Sequence, residues 1–289
     1  VDPVHFLQKF HTTVEVLRLD LVHPVISGNK LFKLKEYLKE AKFLGKDTIV
    51  TFGGAYSNHI VATAAAAKEM GFKTIGIIRG EKPTVLSPTL MDASSYEMEL
   101  HFITREQYRK KLIPSSVYEQ HELNKTYVIN EGGYGALGAI GAKDILHCID
   151  SGSYTHIIDV VGTGTTIAGL LEASSPNQLV IGISSMKNNY SLQGEIENLV
   201  SDENKKRLLL FHDYHFGGYA KYTNRLIEFM NEWYRLASIP SDFVYTGKLF
   251  FAVNDLIEKN YFPPSSKILA IHSGGLQGNQ SLPKGTLIF

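Results

Sequence analysis

The chain has 289 residues, a length that suits two modest domains or one large α/β unit. Its Lys+Arg and Asp+Glu totals are equal at 29 each, with no dense basic block, which argues against a nucleic-acid or anionic-membrane partner. Hydrophobic residues make up 44% of the chain, enough for a sizeable core, and a single cysteine, Cys148, excludes an internal disulfide and fits a reducing, cytoplasmic setting. Residues 1–5 lack a cationic segment followed by an apolar run, so no secretory leader is expected. The run 60–67 is too short and too alanine-rich to span a bilayer.

In chain order, residues 14–21 alternate and are rich in branched side chains, which predicts a strand carrying Arg18 and Asp20. The turn Ser27-Gly28-Asn29-Lys30 follows, and 34–44 predicts a helix closed by Gly45. Residues 48–52 predict a short buried strand, 60–70 a helix closed by Gly71, and 73–79 another strand. A helix over 87–98, strands over 100–103 and 127–130, and a partly helical stretch over 105–124 come next. After the glycine-rich junction 131–135, residues 136–150 predict a long helix, with Cys148 packed on its apolar side. Strands over 156–161, 179–184, 208–212 and 268–272 then alternate with helices over 167–173, 193–199, 224–236 and 249–259. This alternation argues for parallel sheets covered by helices.

Three glycine-rich loops follow strands in this order: Gly53 to His59, Gly162 to Thr166, and Ser273 to Gly275. In open α/β sheets ligands sit beyond the carboxyl ends of the strands, where such loops lie. Gly162-Thr163-Gly164-Thr165-Thr166 runs straight into a helix, so backbone amides, threonine hydroxyls and the helix N-terminus can converge on a phosphate. Threonines capping a helix would leave the same pattern. The loop lacks the Gly-Lys-Ser/Thr of a nucleoside triphosphate site, and no acidic residue stands where a dinucleotide site wants one. Ser57 and Asn58 suit a helix cap, or a carboxylate held at a helix N-terminus. Lys30 sits in a tight turn just before a helix, where burial and a neighbour such as Lys33 would lower its pKa and leave part of it neutral. No G-x-S-x-G occurs, which disfavours a serine hydrolase. His212-Asp213-Tyr214-His215 is a weak metal pattern, and no metal is expected there.

The segments SGNKLFKLKEYL, FGGAYSNHIVATAAAA, EGGYGALGAIGA, GTGTTIAG, VYTGK and HSGG, in this order, resemble the ACC deaminase and D-cysteine desulfhydrase family of fold type II pyridoxal-phosphate enzymes. The resemblance runs from Arg18 to Gly275. It implies two open, twisted, mostly parallel sheets flanked by helices, with the active site in the cleft between them. Residues 1–36 and 138–289 would form a larger cofactor domain, and 37–137 a smaller inserted one. It also implies pyridoxal 5'-phosphate as cofactor, a small amino acid as substrate and a homodimer. Carried across, Lys30 is the lysine that bonds the cofactor, with Lys33 near it, and Gly162, Thr163, Gly164, Thr165 and Thr166 hold the phosphate. Asn58 contacts the pyridine hydroxyl, and Thr246 and Ser273 face the ring. Ser57, with the amides of Asn58 and His59, takes the substrate carboxylate, while Tyr245 and Tyr219 flank the reacting carbon. Two positions depart from the family's habit: Phe32 stands where arginine is frequent, and Tyr56 where glutamine, valine or isoleucine is usual.

Within that family, ACC deaminases carry glutamate after the motif tyrosine and desulfhydrases resemble Thr246. Ser273 imitates the threonine of desulfhydrases in the last loop. Both positions point to β-elimination from D-cysteine, with ACC deamination as the alternative. A non-catalytic protein that binds a phosphate ligand on the same fold is the rival of another class.

Overall fold

A computed structural model describes residues 1–8 and 11–289. The chain opens with strands β1 (Asp2–Pro3) and β2 (Thr13–Arg18) and the helix α1 (Asn29–Phe43). Its middle comprises β3 (Thr48–Gly53), α2 (Asn58–Glu69), β4 (Lys73–Arg79), α3 (Pro88–Ser95), β5 (Glu99–Ile103), α4 (Arg105–Arg109), α5 (Ser115–Gln120) and β6 (Thr126–Ile129). Then come α6 (Ala136–His147), β7 (His156–Val161), α7 (Thr165–Ala173), β8 (Leu179–Ser184), α8 (Leu192–Glu197), α9 (Asp202–Lys205) and β9 (Leu208–Phe211). Helices α10 (Asn224–Ala237) and α11 (Thr246–Glu258) and strand β10 (Lys267–His272) close the order.

The strands form two sheets. One has six strands in the order β1-β2-β10-β7-β8-β9, parallel except for β1, which runs antiparallel to β2. The other has four parallel strands in the order β5-β4-β3-β6. Parallel strands covered by helices on both faces lose all contact with water. Strand β7 follows this rule: all six residues of His-Ile-Ile-Asp-Val-Val are buried, including the carboxylate of Asp159. On one face of the larger sheet Val14, Val16, Ile158 and Ile181 meet α10 and α11, with the Trp233 indole stacked on Phe250 at 4.4 Å and 7°. Truncating such an aromatic to alanine costs about 3–5 kcal/mol. The opposite face packs Ile157, Val180 and Leu269 against α6 and α7. In the smaller sheet Ile49 and Ile129 pack on α1 and α2, and Val50, Phe52, Ile75 and Ile77 on Tyr108 and Val117.

Helix α6 lies between α1 and α7, and its glycines permit the fit. A Cβ on Gly141 would stand 2.2 Å from the Phe32 carbonyl oxygen, so only glycine lets α6 approach α1 this closely. The helix that begins with Lys30 and the helix that begins behind the glycine-threonine loop are thereby fixed against a common neighbour.

Several expected boundaries shift. The strand expected over 14–21 ends at Arg18, whose guanidinium turns into Asp2 and Asp20 at 2.8 and 2.6 Å and draws the chain out of line. Helix α1 starts at Asn29, five residues before the expected start, so Lys30 lies in its first turn and not in a preceding turn. The reason is Gly28, whose φ of +71° ends the preceding segment and frees Asn29 to donate its amide to the Ser273 carbonyl. Helices α2, α7 and α11 likewise begin at Asn58, Thr165 and Thr246, each sooner than apolar periodicity indicated, because polar residues fill the first turns. Cys148 is exposed beyond the end of α6, its thiol donating to the Asp144 carbonyl at 3.1 Å, so its expected packing role is corrected. Strand β1 carries no sequence signal; two residues are too few for alternation to register.

Candidate active site

The three glycine-rich loops meet the start of α1 around one cavity of about 610 Å³, within the size range of small-molecule sites. The loops extend the carboxyl ends of β3, β7 and β10. Side chains hold them together. Asn29 donates its Nδ2 to Thr166 Oγ1 at 2.9 Å and accepts Lys30 Nζ on its Oδ1 at 2.5 Å. Asn58 Nδ2 donates to the Gly275 carbonyl at 3.0 Å, tying the β3 loop to the β10 loop. Lys30, Lys33, Ser57, Asn58, His59, Gly162, Thr163, Gly164, Thr166, Tyr219, Tyr245 and Ser273 therefore line one space. Among the residues expected at the site, Thr165 and Thr246 are fully buried and do not reach the cavity wall.

Burial lowers the Lys30 pKa to about 8, while the carboxylates of Asp159 and Asp242 pull it back up. Lys33 lies one turn on in α1 and is 2% exposed; burial and the nearby Lys30 charge push it well below the ordinary lysine value. Burial raises Asp159 to about 7, against the Val160 amide, both lysines and Ser273, which favour its charged form. The Asp159 Oδ1 accepts the Val160 amide at 2.8 Å and its Oδ2 has no partner. His59 is buried with Nε2 2.8 Å from the Thr51 hydroxyl; burial, then Lys30 and Lys33, hold it neutral. Ser57 caps α2, its Oγ accepting the Ile60 amide at 3.4 Å. The rings of Tyr219 and Tyr245 meet edge to face with centroids 6.1 Å apart.

Thr246 is turned inward because Asp242 claims it. The Asp242 carboxylate accepts the amides of Val244, Tyr245 and Thr246 and the Thr246 hydroxyl, the last at 3.0 Å. A side-chain carboxylate that satisfies the open amides at the start of α11 leaves the threonine no reason to face the cavity. Asp242 itself lines the wall.

Sequence reasoning passed over Arg79, Arg105, Glu131 and Asp242 on the wall and Asp159 within the sheet. Arg79 ends β4, next to β5, whose end precedes Arg105; the rule that ligands lie beyond strand ends would have flagged both. The Arg79 guanidinium stands 5.9 Å from the Tyr219 ring centre and 5.7 Å from that of Tyr108.

The donor set fits pyridoxal phosphate. Gly164, at φ +82°, aims the backbone of the loop at one point ahead of α7, and a Cβ there would stand 2.6 Å from Ile196. Such a nest of amides at a helix start takes a phosphate. The buried Asn58 Oδ1 has no partner, and since its Nδ2 is committed to Gly275 it remains an acceptor for a ring hydroxyl. Lys30 supplies an amine with a pKa low enough to react. Among the described residues no cluster of three or more His, Cys, Asp or Glu side chains is arranged for a metal.

No family model matches the chain. Two relatives, provisionally named 1-aminocyclopropane-1-carboxylate deaminases, are similar along nearly the whole length. The one from Thermotoga maritima is 31% identical over 96% of this chain and 94% of its own. The one from Pyrococcus abyssi is 30% identical over 96% and 89%. Among solved structures, an ACC deaminase homologue superposes with a TM-score of 0.83 at 27% identity, covering 96% of this chain and 89% of that one. O-ureido-L-serine synthase, at 15% identity and a TM-score of 0.70 over 97% and 90% of the two chains, shares the fold alone. A buried lysine at the head of α1, a glycine-threonine loop at the end of β7 and full-length relatives agree: the chain belongs to the ACC deaminase and D-cysteine desulfhydrase family of fold type II pyridoxal-phosphate enzymes.

Proposed function

We propose that this deaminating lyase performs β-elimination on a small amino acid, with D-cysteine as the leading substrate and pyruvate, ammonia and sulfide as products. The observation that carries the reading is the hydrogen-bonded bridge from Lys30 through Asn29 to Thr166, which joins the reactive amine to the anion cradle.

Gly162, Thr163, Gly164 and Thr166 would hold the cofactor phosphate, Asn58 Oδ1 would accept from its ring hydroxyl, and Ser273 lines the same cavity at the end of β10. When bound, the cofactor supplies a sink for negative charge on the substrate α-carbon. The Ser57 hydroxyl and the amides of Asn58 and His59 hold the substrate carboxylate at the start of α2. Lys30 Nζ, neutral in a useful fraction near its pKa of about 8, takes the α-proton. Tyr219 and Tyr245 flank the side chain, and a hydroxyl of this pair gives a proton to the departing sulfur. The C–S bond breaks with its electron pair leaving on sulfur. Water then converts the three-carbon remainder to pyruvate and ammonia.

Ser273, which lines the cavity, supports D-cysteine by its likeness to desulfhydrases; Thr246, held behind the wall by Asp242, does not bear on the choice. The names of the relatives favour a second reading, ACC deamination to 2-oxobutyrate and ammonia, in which Lys30 takes a proton from a ring methylene. Purified protein loaded with pyridoxal phosphate and given D-cysteine is expected to release sulfide. Release of 2-oxobutyrate from ACC without sulfide from D-cysteine would reverse the order. No turnover of either, with phosphate ligands still bound, would favour a binding protein.

We also infer a division into 1–36 with 138–289 and 37–137, which the membership of the two sheets supports. A homodimer and a cytoplasmic setting complete the reading; light scattering measures the first. No described helix is long and apolar enough to cross a membrane.

A further inference from the structure

Lys248 breaks several rules at once. It is the third residue of α11 and fully buried. A cation in the first turn of a helix opposes the macrodipole, and an ammonium inside a protein loses its hydration. Burial lowers its pKa to about 8, with Asp242 as the opposing influence. A buried cation carries a desolvation cost that an apolar side chain would not, which points to a function beyond packing.

Its hydrogen bonds indicate which. Lys248 Nζ donates to the Gly218 carbonyl at 2.8 Å and to the Ser185 carbonyl at 3.1 Å. Gly218 belongs to a loop under backbone strain: Phe216, Gly217, Gly218 and Ala220 have φ of 50°, 98°, 120° and 51°. Two of these are not glycine, and left-handed conformations persist in such residues only where surrounding contacts impose them. The one residue of this run with ordinary φ is Tyr219, whose ring enters the cavity against Tyr245 and Arg79. Ser185 follows β8 and precedes Met186 on the cavity wall. One buried ammonium therefore spans the peptide before Tyr219 and the end of β8.

We propose that Lys248 is a positioning residue, which clamps the strained 216–220 loop to the end of β8 and so aims Tyr219 at the reacting substrate. It touches neither substrate nor cofactor, and it acts through Tyr219. The inference rests on the reading above that Tyr219 flanks the reacting carbon.

The test is a double-mutant cycle in the holoenzyme with Lys248→Met, Tyr219→Phe and the pair, followed by sulfide release. Lys248→Met is expected to lower kcat about 10- to 100-fold with KM changed less than about threefold, which marks an interaction expressed in the transition state. The visible absorbance of bound cofactor is expected to persist. The double variant is expected to be no slower than the slower single one, because both lesions remove the same contribution. Multiplying losses, or a loss confined to KM, would overturn the proposal. Lys248→Gln retains an amide donor and is expected to recover part of kcat; it also serves if the methionine variant does not fold. Hydrogen exchange at amides 217–221 gives a readout independent of substrate. Faster exchange in Lys248→Met, and to a lesser degree in Lys248→Gln, upholds the clamp even if the parent turns over no D-cysteine, in which case the proposed function fails and the clamp stands. Unchanged exchange overturns the clamp whatever the activity.

Discussion

Asp159 and Lys30 hold one another's charge: the buried carboxylate in β7 raises the Lys30 pKa, and the lysine lowers that of Asp159. Burial pushes the carboxyl up to about 7 and the amine down to about 8, and each charge partly offsets the shift of the other. Asp159→Asn removes the larger of the two carboxylate influences that keep Lys30 protonated, leaving Asp242. The pH at which the apoenzyme begins to take up pyridoxal phosphate, a reaction of the neutral amine, is expected to fall by about half a unit to one unit. Stopped-flow uptake between roughly pH 6 and roughly pH 9 measures it. A rise, or no change, would remove Asp159 from the electrostatics of the site.

The same substitution has a consequence for stability. The folded chain holds the Asp159 proton up to about pH 7, whereas the ordinary carboxylate value is 3.8. Across that window the folded state binds more protons than the unfolded one, so stability falls as pH rises. The penalty is absent below the lower value and complete above the upper one. A neutral amide in place of the carboxylate escapes it. In urea unfolding of the apoenzyme, the advantage of Asp159→Asn over the parent is expected to grow by about 1–3 kcal/mol between the acid and alkaline ends of the window. A constant difference would mean that the carboxylate does not titrate there.

Gly275→Ala tests the tie between the β3 and β10 loops. A Cβ at this residue, whose φ is +81°, would stand 1.9 Å from Asn58 Nδ2. The amide must move, and its hydrogen bond to the Gly275 carbonyl, which leaves Oδ1 turned away as a free acceptor, goes with it. The expected cost is about 1–3 kcal/mol in thermal unfolding, with weaker cofactor uptake. Cofactor affinity equal to that of the parent would show that Asn58 does not hold the ring.

The parts of this site that could be read in the sequence are those where backbone chemistry dictates residue type. A phosphate nest needs glycine and small hydroxyl residues before a helix, and Gly162 to Thr166 show that pattern plainly. Sequential order also carried the parallel sheets, since strand and helix alternate along the chain. Asp159 was hidden because a lone acidic residue in a short strand signals nothing about its depth; only the sheet order places helices over both its faces. Thr246 reads equally well as a cofactor contact or a helix start, and Asp242, four residues earlier, decides it by capturing the hydroxyl. Helix starts were misjudged for a related reason. Periodicity of apolar residues locates the buried stripe, while the first turn is set by caps and by glycines such as Gly28.

Arg207 provides a stability variant that should spare catalysis. It is 6% exposed and donates to the Leu171 carbonyl at 2.9 Å, the Ser174 hydroxyl at 2.6 Å and Asn204 Oδ1 at 2.5 Å, closing the far end of α7. That end lies about 12 Å along the helix from the anion cradle. Arg207→Leu removes a buried guanidinium that donates to Leu171, Ser174 and Asn204 and is expected to cost about 2–4 kcal/mol in urea unfolding. The kcat of the folded fraction is expected to stay within about twofold of the parent. A large loss of kcat at unchanged stability would mean that α7 transmits strain to the cradle.

Lys30→Arg separates the charge of the amine from its reactivity. Arginine keeps a cation at the head of α1, but a guanidinium does not give up its proton in a protein. Asn29 can still be held between this side chain and Thr166, so the cavity keeps its frame while losing its leading candidate for both cofactor bonding and α-proton removal. Sulfide release from D-cysteine is expected to fall by about 10³-fold or more, beyond the loss typical of a mispositioned acid or base. A phosphate-containing ligand is expected to bind still, because the donors at Gly162 to Thr166 are untouched. If Lys30→Arg retained a tenth of the parent rate, another base would be acting at the α-carbon. Lys33, one turn further along the same helix and pushed well below the ordinary lysine value by burial, would then be the group to replace next.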